Sequence, residues 1–129
     1  MTQFNRIGNF LIPAGKQTVK AAAFIAHPDD ETIWMGGTLL THKEWNWKIF
    51  VATHNGSDDR GKEFISAIEK YKYQYGVTNL EFEFTEIMHD TQDSNKLNKE
   101  EIKLKLDRVD LSSFDIIFTH NIDGEYGAP

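Results

Sequence analysis

The sequence predicts an α/β fold in which a mostly parallel β-sheet lies between two layers of helices. Short apolar runs alternate along the chain with longer amphipathic segments, so strands and helices follow each other as β-α-β-α-β-α-β. Crossovers of this kind between parallel strands are right-handed and place helices on the faces of the sheet. At 129 residues the chain has the length of a single domain, and it contains no internal repeat or linker.

The first predicted strand, residues 19–26, is a mostly apolar run typical of a buried strand. A helix is expected next, because Asp29 or Asp30 is a favoured N-cap and acidic residues suit the positive end of the helix dipole. We expect this helix to end near Glu44. Two adjacent glycines, residues 36–37, are unfavourable inside a helix, which predicts that its backbone packs closely against the strands.

In the middle of the chain, the sequence pattern predicts a second strand, a second helix and a third strand. Residues 47–53 form another apolar run, and a loop rich in turn-forming residues follows over 54–60. The helix predicted over 61–75 has large apolar residues on one face, and Gly76 is placed to end it as a C′ glycine. Apolar and acidic residues alternate over 80–84, which indicates a half-buried strand at the sheet edge.

The pattern is less regular toward the two ends of the chain. Residues 1–18 mix polar residues with glycine and proline, and we interpret them as an irregular lead-in with residues 10–12 resting on the domain. Residues 98–109 fit a strand or a helix, and a capping-box pattern together with the need for a crossover favours a third helix. A fourth strand is predicted over 114–119.

Composition excludes several classes of protein. The net charge of −6 and the lack of clustered Lys and Arg argue against nucleic-acid binding. The chain has no cysteine, so a zinc site would have to use histidine and carboxylate ligands. No stretch approaches the ~20 apolar residues of a membrane span. No signal peptide is recognisable, and we expect a soluble, cytoplasmic protein.

Three of the five histidines directly follow predicted strands: His27, His54 and His120. In open parallel sheets ligands bind at this edge, where the strand order reverses. The carboxylates of Asp29 and Asp30 adjoin His27, and imidazole with carboxylate is a suitable ligand set for zinc. Neighbouring Asp side chains point in different directions, so one could bind the metal while the other takes a proton from the activated water. The acids could instead only cap the helix, but capping would leave His27 unexplained.

The loop after the second strand carries Arg60, which belongs to the same predicted edge. Its guanidinium could hold a phosphate, a carboxylate or a sugar hydroxyl, or it could be an ordinary exposed side chain near a helix start. A dinucleotide-binding glycine fingerprint is excluded, because it would have to follow the first strand directly, where this chain has His-Pro-Asp-Asp.

Residues 26–31, Ala-His-Pro-Asp-Asp-Glu, followed by Gly-Gly-Thr-Leu at 36–39, resemble the signature of the PIG-L/LmbE-type zinc-dependent de-N-acetylases. The resemblance extends from about Val19 to Pro129 and implies a single domain over residues 1–129. It also implies a Rossmann-like three-layer αβα fold, which we expect to be truncated after about four strands. Further segments that carry the similarity are 53–60 with Glu63, 119–121 and 124–127.

The resemblance implies a hydrolase that removes the acetyl group from a small N-acetylated amino-sugar conjugate of the N-acetylglucosamine type. By the family pattern His27 and Asp30 would bind Zn²⁺, or another divalent metal, and Asp29 would be the catalytic general base. Arg60 and Tyr126 resemble residues that contact the substrate, with Tyr126 near the oxygen that becomes an oxyanion.

The family pattern continues with two histidines that do not occur here. Ala128 stands where one of them assists at the transition state, and the third zinc ligand would fall two residues beyond Pro129. Three alternatives stay open: a truncated chain without catalysis, His120 as a substitute ligand, or a non-catalytic sugar-binding or interaction domain. A truncated sheet would expose apolar surface, so a homo-oligomer is a further expectation.

Overall fold

A computed structural model of the chain describes residues 4–7, 10–13, 18–28, 30–88 and 98–120, with the backbone alone for 4–7, 10–13 and 30–35. No helix in this part of the chain is long and apolar enough to cross a membrane. The described elements, in chain order, are β1 (Phe4–Ile7), β2 (Phe10–Pro13), β3 (Lys20–Ile25), α1 (Asp30–Thr41), β4 (Asn46–Val51), α2 (Asp59–Tyr73), β5 (Leu80–Phe84), α3 (Lys99–Leu106) and β6 (Ile116–Thr119).

Four of the strands form one sheet in the order β5-β4-β3-β6, and all of its pairings are parallel. The chain runs from β3 outward through β4 to β5 and then crosses to the other side of β3. The strand order therefore reverses between β3 and β6. This confirms the predicted α/β class, and the parallel sheet with its helices is consistent with a three-layer Rossmann-like fold.

The apolar runs form strands because both of their faces are covered, as is usual for parallel sheets. Ala21, Ala22 and Ala23 of β3 are fully buried, and so are Ile49 and Val51 of β4. These two strands occupy the middle of the sheet and form the centre of the core. The edge position predicted for β5 is confirmed.

α2 packs on the sheet with the face that its sequence predicts. Phe64 and Tyr71 are buried, and the Phe64 ring meets the rings of Phe82 and Phe84 edge to face at centroid distances of 5.4 and 5.5 Å. Gly76 follows the helix with φ 80°, a left-handed conformation that favours glycine. The helix ends at Tyr73 with Gln74 as its C-cap, so Gly76 lies one residue beyond the C′ position predicted for it.

Residues 98–109, whose sequence pattern fits either a strand or a helix, contain the helix α3. Asn98 precedes α3, and its side-chain oxygen accepts a hydrogen bond from the backbone N–H of Glu101 at 3.0 Å, as the capping-box pattern predicts. None of the residues of α3 is buried. β6 forms an edge of the sheet opposite to β5, and Ile117 on it is 44% exposed.

Two expectations from the sequence are wrong. β1 and β2 pair antiparallel as a two-stranded sheet, so the chain start is not irregular throughout. The sequence signal for this pairing is the pair Gly8 and Asn9 between the two strands, which is typical of a short hairpin connection. Among the described residues, no strand contacts the two glycines of α1: a Cβ on Gly36 would meet the Tyr71 hydroxyl of α2 at 3.3 Å, and one on Gly37 would meet no described atom outside the helix backbone within 4 Å.

Candidate active site

Three histidines lie at the carboxyl edge of the parallel sheet, as the sequence predicts. His27 comes two residues after β3, His54 three residues after β4, and His120 directly after β6. Because β4, β3 and β6 are parallel neighbours, their carboxyl ends lie side by side. This edge includes the reversal of strand order between β3 and β6, which is where ligands bind in such folds.

Ala26, the residue before His27, is held from both sides. Its backbone N–H donates a hydrogen bond to Nε2 of His120 at 3.0 Å. Its carbonyl oxygen accepts two hydrogen bonds from Thr53, one from the backbone N–H at 3.1 Å and one from the hydroxyl at 2.7 Å. Thr53 is only 1% exposed, so water competes little for these bonds. Residues that follow the two strands flanking β3 therefore fix Ala26.

The contact with Ala26 identifies the tautomer of His120. A ring nitrogen that accepts a hydrogen bond must present a lone pair, so Nε2 is unprotonated and the proton of the neutral ring lies on Nδ1. Nε2 is thus bonded to the backbone of the residue directly after β3. If His120 were to bind a metal through Nε2, it would first have to give up its hydrogen bond with Ala26.

A third element reaches the same segment at Pro28. Arg60, the second residue of α2, donates from Nη2 to the Pro28 carbonyl oxygen at 3.1 Å. The Pro28 side chain is fully buried, which fixes the chain directly after His27. The guanidinium therefore brings its positive charge to the loop on which the predicted metal ligands lie.

The loop after β4 is organised by the carboxylate of Asp58. Oδ1 accepts a hydrogen bond from the backbone N–H of Gly61 at 2.7 Å and caps α2. Oδ2 accepts one from the N–H of Asn55 at 3.1 Å and lies 3.2 Å from Nδ1 of His54. The hydrogen bond from Gly61 is the main cause that holds the pKa of Asp58 below its ordinary value. His54 adopts φ 64°, which is uncommon for a residue other than glycine.

Of the predicted metal ligands, His27 is the one whose side chain the structure describes, and it is half-buried. Asp30 is described in its backbone, as the first residue of α1, while Asp29, Tyr126 and Ala128 lie outside the described residues. The donor types fit zinc, because an imidazole and a carboxylate stand three residues apart in a chain without cysteine. The described side chains alone form no group of three or more potential ligands, and Asp29 and the Asp30 carboxylate are not among them.

Threonines at the strand ends are site residues that the sequence analysis does not single out. Besides Thr53, the hydroxyl of Thr85 donates to the Val51 carbonyl and that of Thr119 to the Phe24 carbonyl, both at 3.0 Å. Each hydroxyl ties the end of one strand to the backbone of its neighbour. The signal in the sequence is a threonine at the close of each of three strand-forming runs.

A cavity of about 430 Å³ lies at the opposite, amino edge of the sheet. Its lining includes Lys20, Asn46 and Leu80, the first residues of β3, β4 and β5. Strands of six residues are about 20 Å long. The cavity is therefore separated from His27 by the length of the sheet and is no part of the candidate active site.

Comparison with known proteins gives a match to a family model. The model of the PIG-L family, described as GlcNAc-PI de-N-acetylase, matches residues 22–129, which is most of the chain and includes every residue of the candidate site. No curated protein and no solved structure matches the chain.

Proposed function

The chain belongs to the PIG-L family, and from this we propose that it is a zinc-dependent hydrolase that removes the acetyl group from an N-acetylated amino-sugar conjugate. The family description supports de-N-acetylation of a GlcNAc-type substrate. The observation that carries the proposal is the position of His27 beside the reversal of strand order, on a segment that three other elements hold by hydrogen bonds.

We assign His27 and Asp30 as metal ligands, since imidazole and carboxylate are the donors on which a zinc site without cysteine depends. When bound, zinc or another divalent metal would polarise the acetamide carbonyl and make a water molecule more acidic. The two residues flank the Pro28 carbonyl that Arg60 holds. Arg60 therefore restricts the backbone at Pro28, which lies between the two proposed ligands in the sequence.

Asp29 is assigned as the general base. It stands next to Asp30, and neighbouring side chains leave the backbone in different directions, so the two carboxylates can serve different partners. A carboxylate within hydrogen-bond reach of the water takes a proton from it while the water oxygen attacks the carbonyl carbon. When the C–N bond breaks, the same group returns the proton to the leaving nitrogen, which gives acetate and the free amino sugar.

Arg60 and Tyr126 are assigned to the substrate. A guanidinium has five N–H donors, so a bond to the Pro28 carbonyl is compatible with a further bond to a sugar hydroxyl. The Tyr126 hydroxyl is assigned to the acetamide oxygen, where a hydrogen-bond donor stabilises the negative charge that develops during attack.

Metal analysis of the purified protein, joined to an activity assay, tests the proposal. We expect bound divalent metal in the wild type, and release of acetate from an aryl glycoside of N-acetylglucosamine. Both should be lost in Asp30→Ala. Asp59→Ala is the matched control, because Asp59 is likewise the first residue of a helix, and it should keep metal and activity.

Two outcomes would contradict the proposal. If the wild type holds no divalent metal, or if Asp30→Ala holds as much as the wild type, the assigned metal site is wrong. If the protein binds the sugar conjugate but releases no acetate in the presence of zinc, the alternative of a non-catalytic sugar-binding domain replaces the hydrolase.

A further inference from the structure

We propose that His120 is a positioning residue, which fixes the backbone at Ala26 and thereby aims the side chain of His27. This inference deepens the proposed function and rests on it in one respect, namely that His27 is a metal ligand. It assigns to His120 a role that is distinct from metal binding.

The geometry of Ala26 carries the argument. Its N–H belongs to the peptide group shared with Ile25, and its carbonyl belongs to the peptide group shared with His27. The first is bonded to His120 and the second to Thr53, so both peptide planes around the Ala26 Cα are fixed. Since the second plane includes the backbone nitrogen and Cα of His27, these two bonds fix the N–Cα bond about which the His27 side chain is oriented.

The position of His120 explains why a side chain is needed here. The ladder between β3 and β6 ends at the pair Phe24 and Thr119, so Ala26 lies beyond the last backbone pairing on that side. The imidazole of His120, the next residue after β6, supplies the acceptor for the Ala26 N–H in place of a strand carbonyl. Loss of this acceptor would leave a partly buried N–H without its partner, which is unfavourable.

Nuclear magnetic resonance on the metal-free wild type tests the contact itself. An N–H···N hydrogen bond transmits a scalar coupling between its two nitrogen nuclei, so we expect a coupling between the Ala26 amide nitrogen and His120 Nε2. We also expect the ¹⁵N shift of Nε2 to be that of an unprotonated imidazole nitrogen. A protonated Nε2 with no coupling would overturn the proposal.

Two variants of His120 separate positioning from ligation. His120→Ala removes the acceptor, whereas His120→Gln keeps an acceptor oxygen at similar reach but is a poor zinc ligand. We expect zinc affinity to fall about 10- to 100-fold in the alanine variant, as is usual when a residue supporting a metal ligand is lost. The glutamine variant should stay close to the wild type. Equal, severe loss in both variants would mean that His120 ligates the metal and would overturn the proposal.

Thr119→Val is the matched control for general weakening of the sheet. It removes the hydrogen bond that the Thr119 hydroxyl, at the end of β6, donates to the Phe24 carbonyl of β3. The bond between Ala26 and His120 is left in place. We expect its zinc affinity to be unchanged. A loss equal to that of His120→Ala would reduce the role of His120 to sheet stability and would contradict the proposal.

The χ1 angle of His27 distinguishes failure of this inference from failure of the proposed function. Three-bond couplings measured without metal should show one His27 rotamer in the wild type and in His120→Gln, and averaging in His120→Ala. If this pattern is found in a protein that binds no zinc, the positioning role stands and the proposed hydrolase falls. If His27 has the same single rotamer in all three proteins, the positioning role is overturned whatever the metal content.

Discussion

The loops after β3 and β4 lie side by side at the same edge of the sheet, and they differ in the range of the bonds that organise them. The β3 loop is bonded at Ala26 and Pro28 by Thr53, Arg60 and His120, which are 27 to 94 positions away in the sequence. Beyond Thr53, the β4 loop is organised by one of its own carboxylates, that of Asp58, which contacts residues three or four positions away. The loop with the proposed chemistry therefore depends on the assembled sheet, while the part of its neighbour beyond Thr53 also has local bonds of its own.

The largest expected effect is a loss of catalytic rate in a variant of the β3 loop, to which we assign the chemistry. Asp29→Asn should lower kcat for de-N-acetylation by about 10²- to 10⁴-fold, because the amide cannot accept the proton of the attacking water. Bound metal and the free energy of unfolding should stay unchanged. Steady-state kinetics with the N-acetylglucosamine glycoside, together with metal analysis, measure this.

Asp58→Asn is the control for that variant, because it makes the same chemical change in the β4 loop. It should retain most of the wild-type kcat, since Asp58 bonds to its own loop and to the start of α2. If Asp29→Asn has the wild-type kcat, Asp29 is not the general base. If kcat falls equally in Asp29→Asn and Asp58→Asn, the loss is not specific to the β3 loop.

The second effect concerns the packing of the β4 loop. A Cβ on Gly61 would overlap the carbonyl oxygen of Asn55, so alanine there must open the loop or shift the start of α2. We expect Gly61→Ala to lower the free energy of unfolding by about 1–3 kcal/mol, as overpacking usually does. Urea denaturation measures the change.

Gly37→Ala is the matched control, because Gly37 is a helical glycine whose added Cβ would meet no atom of the described residues within 4 Å, apart from the helix backbone itself. It should raise stability by up to about 1 kcal/mol through helix propensity. If Gly61→Ala is instead as stable as the wild type, the β4 loop is not packed against α2 as closely as the structure shows.

The smallest expected effect is the pH dependence that Asp58 gives to the β4 loop. Its pKa in the folded protein is lowered, chiefly because the Gly61 N–H donates to its carboxylate. The ionised group therefore stabilises the fold above its unfolded pKa, and this contribution is lost as pH falls through the folded pKa. In Asp58→Asn, which can still cap the helix but does not titrate, stability should fall less steeply between neutral and strongly acidic pH. Urea midpoints across that range would contradict this if the two profiles were parallel.

The order of strands and helices could be predicted because apolar periodicity reports which faces are buried. Phe64 and Tyr71 on α2 show this directly, since the spacing that predicts their common face is the spacing of the buried residues. The β1–β2 pairing was also within reach, because Gly8 and Asn9 mark it in the sequence. These features depend on residues that are close together in the sequence, so local sequence patterns are sufficient to predict them.

The bonds around Ala26 could not be predicted, because they depend on which strands become neighbours. The sequence places His120 at the correct edge of the sheet, but the lone pair that would bind a metal is also the lone pair that accepts the Ala26 N–H. Only the distance between these atoms decides between the two roles. Arg60 is similar, since its charge was evident but its bond to the Pro28 carbonyl was not.

The bond from Ala26 to His120 also has a consequence for folding. β3 and β6 are separated by 90 residues of sequence, so their pairing closes a long loop and belongs to the slow, non-local part of assembly. If His27 binds a metal and His120 supports it, as proposed, docking of β6 would raise the affinity for metal. By thermodynamic reciprocity, bound metal would then favour the docked state of β6 by the same factor. The metal would thus act on the stability of an edge strand that it does not touch.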